Sequence, residues 1–286
     1  MTRYFIEPFG AGYMQRALVE VVILSLLAGV VSVHVLLRRL AFFGDAITHA
    51  VFPGVAIAFV LGQSLFLGAI AAGVLAAVLL TFATRLPRVD GDAALGVLLG
   101  AFFSIGVLVV STRRTYTADL TALLFGRVLS VDRQTIVESL IVAVAVVATL
   151  AVLHKELVLR AFDATAAAAL GYRVALLDLV LNVAVTLVVV ASVRAAGTVL
   201  VIALVIIPAA AARLVTNRVG SMLVVSCAIS VVCGFIGLVV SYDASVNHGV
   251  RLASGATIVL TLTAAFALAG ALSFVLRSRS RRAALA

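Results

Sequence analysis

The sequence predicts an all-α protein, a polytopic bundle of eight or nine membrane-spanning helices forming one permease-like domain over residues 1–286. Three observations predict it. Of the 286 residues, 64% are hydrophobic and 12% are charged, whereas soluble domains are roughly 45–50% apolar and about 25% charged. Nine apolar runs recur along the chain, and most approach the length of about 20 residues that a helix needs to cross the hydrocarbon layer. The 21 basic residues gather at the ends of these runs, so the net charge of +9 reads as membrane topology and not as a nucleic-acid surface.

The elements follow in chain order. The run 17–37 lies behind a polar-aromatic start, contains Glu20 and has no small-residue cleavage site after it; it is expected to be a retained helix and not a removed signal peptide. The run 46–61 is short and interrupted by Pro53 and Gly54. It predicts a broken or re-entrant helix, or a spanning helix with an irregular start, because proline cannot continue the backbone ladder. Runs 64–84 and 93–111 lead to a loop at 112–135 that carries Arg113, Arg114, Arg127 and Arg133. Run 136–153 is followed by a connection, 154–175, with Lys155, Arg160 and Arg173. Runs 176–195 and 197–215 are separated only by Arg194 and Gly197. Run 222–241 holds Cys227 and Cys233, six residues apart on different helical faces, which suits small packing residues better than a disulfide or redox pair.

The last run, 253–276, ends in a basic tail, 277–286, with Arg277, Arg279, Arg281 and Arg282. A basic tail places the C-terminus in the cytoplasm. Counting back, the Arg213–Arg218 loop and the 154–175 connection are cytoplasmic too. Strict alternation puts the arginine-bearing 112–135 loop outside, against the same rule.

The chain lacks the means to hydrolyse ATP through a phosphate-binding loop. That loop needs a lysine behind glycines, and the only lysine, Lys155, follows His154. Transport would be driven by an ion gradient or by a separate ATPase subunit. The most informative stretch is Gly44-Asp45-Ala46-Ile47-Thr48-His49-Ala50. Residues four apart on a helix share a face, so a carboxylate and an imidazole there can bind a divalent first-row metal; oxygen and nitrogen donors suit manganese, iron or zinc. The competing reading makes Asp45 a helix N-cap after Gly44, and the spacing leaves both open. Ionisable groups elsewhere invite plainer readings. Glu20 is expected to pair with Arg16 one turn earlier, Asp178 to cap its helix or pair with Arg173, His34 to anchor at the interface, and His154 and His248 to be solvated. Pro208 and Pro53 are expected to kink their helices as gate elements.

Several ordered motifs carry a resemblance. Pro8-Phe9 and Met14-Gln15-Arg16-Ala17-Leu18, then the continuous stretch from Val35 to Ala56, resemble the membrane permease of the manganese/zinc/iron ABC importers (ABC-3 type, related to type II importers). Asp119-Leu120 with Leu124-Phe125-Gly126, Phe162-Asp163 with Ala169-Leu170-Gly171, Val205-Ile206-Ile207-Pro208-Ala209-Ala210-Ala211-Ala212-Arg213, and Ser254-Gly255-Ala256-Thr257-Ile258-Val259-Leu260 resemble later motifs of that family in the same order. The resemblance implies a non-enzymatic permease of the bacterial plasma (inner) membrane. It would work with a second copy of itself, cytoplasmic ATP-binding subunits and an extracytoplasmic metal-binding protein, and hold no cofactor permanently.

It further implies that Asp45 and His49 are the metal ligands. The segment 160–171, with Phe162, Asp163, Ala169, Leu170 and Gly171, would couple to the ATPase. Two departures concern the outer end: Ala253 stands where the family usually has proline, and the preceding loop 242–249 reads as longer. Two other classes compete: a cobalamin- or siderophore-type permease without protein ligands, and a gradient-driven metal/proton antiporter with Asp45 and Asp178 as relays.

Overall fold

The computed structural model describes residues 7–85, 90–111, 130–250 and 252–283, with side chains for 9–85, 90–111, 130–250 and 252–275. Among these residues the structure is helical with no strand. A short 3-10 turn, Glu7–Gly10, precedes α1, Gly12–Leu37; then come α2, Ala41–Ala50, α3, Phe52–Val60, α4, Leu65–Ala83, and α5, Gly91–Ser111. Beyond the next connection lie α6, Arg133–Val152, the short α7, His154–Phe162, and α8, Ala164–Ala169. Four long helices complete the chain: α9, Val174–Ala196, α10, Thr198–Val215, α11, Val219–Asn247, and α12, Ser254–Ala283.

With α2 and α3 counted together, nine helical segments among the described residues are long and apolar enough to cross a membrane, the upper of the two expected numbers. The break between α2 and α3 falls at Val51, and Pro53 sits in the first turn of α3. There its missing N–H needs no partner, while it cannot donate the bond that would continue α2. Gly197 at φ +77 ends α9 and starts α10, so one residue in a conformation that favours glycine makes the thin boundary. Pro208 lies inside α10, which continues through it as one helix. The Asp119–Gly126 motif and most of the 112–135 loop, like the side chains of the basic tail, lie outside the described residues.

Helix α1 is central and α12 peripheral: two-thirds of the most apolar part of α1 is buried within the chain, against about a tenth of α12. Around α1 the apolar residues form a large core including Leu27, Val31, Phe43, Ile47, Val185, Val188 and Val189. A second cluster joins Met14 and Leu24 to Leu200, Leu204, Leu238, Ile258 and Leu262. Lipid offers no hydrophobic driving force between helices, so close approach and internal hydrogen bonds must hold the bundle. Both are present. Gly54 and Gly68 face each other across α3 and α4, where a methyl on either would strike the other's carbonyl oxygen. Gly29 lets α11 approach so closely that a Cβ there would lie 2.8 Å from the Cys227 Cα. Along that seam Ser226 donates to the Gly29 carbonyl at 2.9 Å and meets Ser32 at 2.9 Å. Asn182 on α9 donates to Thr81 on α4 at 2.9 Å.

Three expectations about single residues and one about a loop are corrected. Glu20 is fully buried and accepts a hydrogen bond from Ser139 on α6 at 2.7 Å, while Arg16 turns back to the Gly12 carbonyl; the acid finds its partner across the bundle because its helical face points inward. His34 is buried, not interfacial, and packs edge-on against the half-buried His154 at 5.6 Å between ring centroids. Asp178 pairs not with Arg173 but with Arg38 and Arg160. The stretch 242–247 is the end of α11 and no loop, because Ser245 bonds back to the Ser241 carbonyl at 2.8 Å and Asn247 to the Asp243 carboxylate at 2.7 Å. His248 lies just beyond, exposed and 3.7 Å from Asp243, as expected of a solvated residue. Cys227 and Cys233 are free.

The two ends of the bundle can be told apart. Arg38, Arg160 and Asp178 meet at one end; Glu138 near the start of α6 pairs with Arg194 near the end of α9 at the other. The start of α6 therefore lies opposite the 154–173 connection, which agrees with strict alternation.

The crossing at Gly54 and Gly68 generates a prediction. Gly54→Ala and Gly68→Ala should each lower stability by about 1–3 kcal/mol through overpacking, seen as an earlier thermal transition of the detergent-purified protein. Gly220→Ala, where a new Cβ meets open space, should leave that transition unchanged or raise it slightly. Equal effects at all three positions would refute the packing argument.

Candidate metal site

Helix α2 buries Phe43, Gly44, Ala46, Ile47, Thr48 and Ala50. Phe43 is fully enclosed and Gly44 lies against Val205 of α10. What remains uncovered is one stripe: Phe42, then Asp45, then His49, at the helical spacing of three and four residues that defines a face. The side chains of Asp45 and His49 are 44% and 43% exposed, and Asp45 Oδ1 lies 3.9 Å from His49 Nε2. The two groups are therefore neighbours on an open face, not capping devices. Leu40 holds the N-cap position of α2, so the capping reading of Asp45 does not apply.

Depth gives the pair its meaning. At 1.5 Å per residue, Asp45 lies ~6 Å and His49 ~12 Å from the start of a two-part span about 30 Å long. Ionisable side chains at such depth are costly against acyl chains and belong beside a water-filled path or a polar partner. Phe103 of α5 flanks the pair: His49 stands edge-on to it at 6.1 Å and Phe52 stacks on it at 5.7 Å. Close approach at Gly106 makes room for Phe52, because a Cβ there would collide with its ring. Phe103 was not legible in the sequence, since nothing in an isolated phenylalanine signals a neighbour 54 positions earlier.

Two ligands are too few to hold a transition metal in a closed cage. Among the described residues no group of three or more His, Cys, Asp or Glu side chains is placed to bind one. One chain thus supplies two donors on an uncovered face.

The second group of predicted residues lies on α7 and α8, at the end of the bundle where α1 turns into α2. Asp163 caps α8: its Oδ1 accepts from the backbone N–H of Thr165 and of Ala166, both at 2.9 Å, and from the Thr165 hydroxyl at 2.6 Å. Those hydrogen bonds, the Thr165 hydroxyl foremost, hold its carboxyl below the usual carboxylate range because they favour the charged form. Gly171 at φ +85 ends the helix; its N–H bonds the Ala168 carbonyl and that of Tyr172 the Ala167 carbonyl. Ala167 faces inward and is buried, whereas Ala168, Ala169, Phe162 and Leu170 face out, the last two being 66% and 68% exposed. The gating candidates Pro53 and Pro208 are both buried. Pro53 directly follows the stacked Phe52, so the break in the span adjoins the Asp45–His49 face.

Comparison with known proteins places this geometry in a family. The model of the ABC 3 transport family matches residues 11–273. Manganese transport system membrane protein MntC of Listeria innocua is 36% identical over 258 residues, 90% of each chain. Manganese import system permease protein ScaB of Streptococcus parasanguinis is 34% identical, over 94% of this chain and 92% of its own. The solved structure of PsaBC from Streptococcus pneumoniae in complex with Fab matches with a TM-score of 0.80 at 32% identity, covering 94% of this chain and 95% of that one. A family match over nearly the whole chain, joined to nine apolar helices among the described residues, bears out the resemblance read from the motifs: this chain belongs to the ABC 3 transport family and is a multi-pass protein of the bacterial inner membrane.

Proposed function

We propose that this chain is the permease of an ATP-driven importer of divalent transition metal ions, with manganese as its cargo. The observation that carries the reading is the Asp45–His49 pair, held on the one open face of α2 at membrane depth. Carboxylate and imidazole donors accept manganese, ferrous iron and zinc alike; the named function of the relatives MntC and ScaB favours manganese.

In this mechanism a metal-binding protein delivers the ion to the outer end of the bundle. The ion sheds water as Asp45 and His49 of one chain and the same pair of a second copy approach it. Four ligands from two open faces meet the coordination that one chain leaves incomplete. Cytoplasmic ATPase subunits dock on the outward-facing surface of segment 160–171, where Phe162 and Leu170 offer apolar contact and Ala168 and Ala169 permit close approach. ATP binding supplies the difference in affinity between outward- and inward-open states that moves the ion. Pro53 and Pro208 mark helices able to bend as the path opens. The chain itself breaks no bonds.

The test is metal-resolved uptake in cells carrying Asp45→Asn or His49→Ala. Either variant should lower manganese accumulation by about tenfold or more, since even groups that merely support a metal ligand contribute on that scale, with membrane insertion unchanged. Undiminished accumulation in well-expressed variants would instead favour the siderophore-type path. Uptake by the purified chain alone, driven by a pH gradient in liposomes, would favour the antiporter.

Docking has its own prediction. Phe162→Asp and Leu170→Asp place charges on exposed positions and should not disturb folding. Each should abolish co-purification of the ATPase subunit, and retained co-purification would remove the 160–171 segment from the interface.

A further inference from the structure

Asp178 stands in the second turn of α9 and engages both neighbouring elements at once. Its Oδ1 lies 2.6 Å from Nη1 of Arg38, and its Oδ2 accepts a hydrogen bond from Nη2 of Arg160 at 3.0 Å. The three side chains are only 13–20% exposed. Screening is therefore weak, and removing Asp178 leaves two guanidinium charges uncompensated in a poorly solvated place.

The partners are notable for what they are attached to. Arg38 is the C-cap of α1, where its N–H bonds the His34 carbonyl. The next residue, Arg39, adopts φ +56, a left-handed conformation that a side chain favours little, and Leu40 returns a bond to the Val35 carbonyl. This short, fully bonded elbow turns the chain directly into α2, so Asp45 follows Arg38 by seven residues with no slack between them. Arg160 lies in the last turn of α7, three residues before the Asp163 cap of α8. At the other end of α7, His154 packs edge-on against His34, and Leu157 between them is buried. Helix α7 thus meets the last turn of α1 directly at His154 and, through Asp178 of α9, at Arg160.

We infer that Asp178 is a positioning residue that clamps α7 to the α1–α2 elbow, so that movement imposed on α8 by the ATPase is delivered to the helix bearing Asp45 and His49. The inference rests on the proposed function and names the contact through which its two halves communicate. Rigid helices joined by an ion pair form the kind of two-ended element through which coupling is carried. The charge pattern fits the role: one carboxylate serves two guanidinium groups, so loosening either arm leaves the other still paired.

The test uses the assembled transporter, this chain with its ATPase subunits and binding protein, in liposomes supplied with manganese. In Asp178→Asn and in Arg38→Gln, manganese uptake per ATP hydrolysed should fall about fivefold or more, the lower range of measured coupling effects, while ATP hydrolysis continues. Arg38→Lys, which keeps a charge at the elbow, should restore part of the ratio. A merely structural role would lower uptake and hydrolysis together and leave their ratio constant, which overturns the inference. A second measurement is independent of the metal. In hydrogen exchange of residues 36–46, the wild type should change on addition of ATP with vanadate, and Arg38→Gln should not. An unaltered response in that variant, or no response in the wild type, also overturns it. Failure of wild-type manganese uptake with the exchange response intact would reject the proposed cargo and leave the clamp standing.

Discussion

Hydrocarbon offers no hydrogen-bond partner, and that constraint shapes how polar side chains are placed inside this bundle. Inside the bundle several such groups find a partner on another helix. Ser226 reaches both Ser32 and the Gly29 carbonyl, Asn182 reaches Thr81, and Thr257 reaches the Gly237 carbonyl at 2.9 Å. In each case the bond crosses between helices, so satisfying the group also fixes the register of the pair. Glu20 follows the same rule through Ser139. Asp45 and His49 differ, because they stand 3.9 Å apart on the open face of α2 and make no hydrogen bond to another helix among the described residues. A polar pair left uncovered at membrane depth has meaning only in contact with something else that is polar.

Much of this was legible in sequence because composition and period survive without a structure. The nine apolar runs became nine helical segments, among the described residues, long and apolar enough to cross a membrane, and the Pro53–Gly54 interruption became the break between α2 and α3. The single face shared by Asp45 and His49 follows from their spacing alone. Partners across the bundle were not legible. Arg16 precedes Glu20 by one turn and Arg173 precedes Asp178 by five residues, so local reasoning pairs them, yet the actual partners lie 119 residues away for Glu20 and 18 and 140 away for Asp178. Proximity along the chain is a poor guide when helices pack on all sides, as they do around α1.

The end of α11 shows the converse error. The stretch from Tyr242 to Asn247 is polar, and polarity between two apolar runs usually marks a loop. Here it marks a helix leaving the membrane. Once α11 emerges from lipid its exposed residues no longer need to be apolar, and i to i+4 bonds such as Asn247 to Asp243 sustain the helix in water. The boundary of a hydrophobic run reports where the bilayer ends and not where the helix does.

The same distinction bears on selectivity. On the proposed function the site must release its ion, and two donors on an open face suit capture followed by release better than a closed tetrahedral centre. The donors are oxygen and nitrogen, while the two cysteines lie on α11, where Cys227 faces the α1 backbone and Cys233 is buried. Thiolates would draw the site toward zinc or cuprous ion, and manganese stands lowest in intrinsic affinity among the divalent first-row metals. An importer of manganese therefore gains nothing from stronger or softer ligands, which would bind its competitors more tightly still. On the proposed reading, the sparse and hard character of the Asp45–His49 face is itself the device that keeps a weakly bound ion mobile.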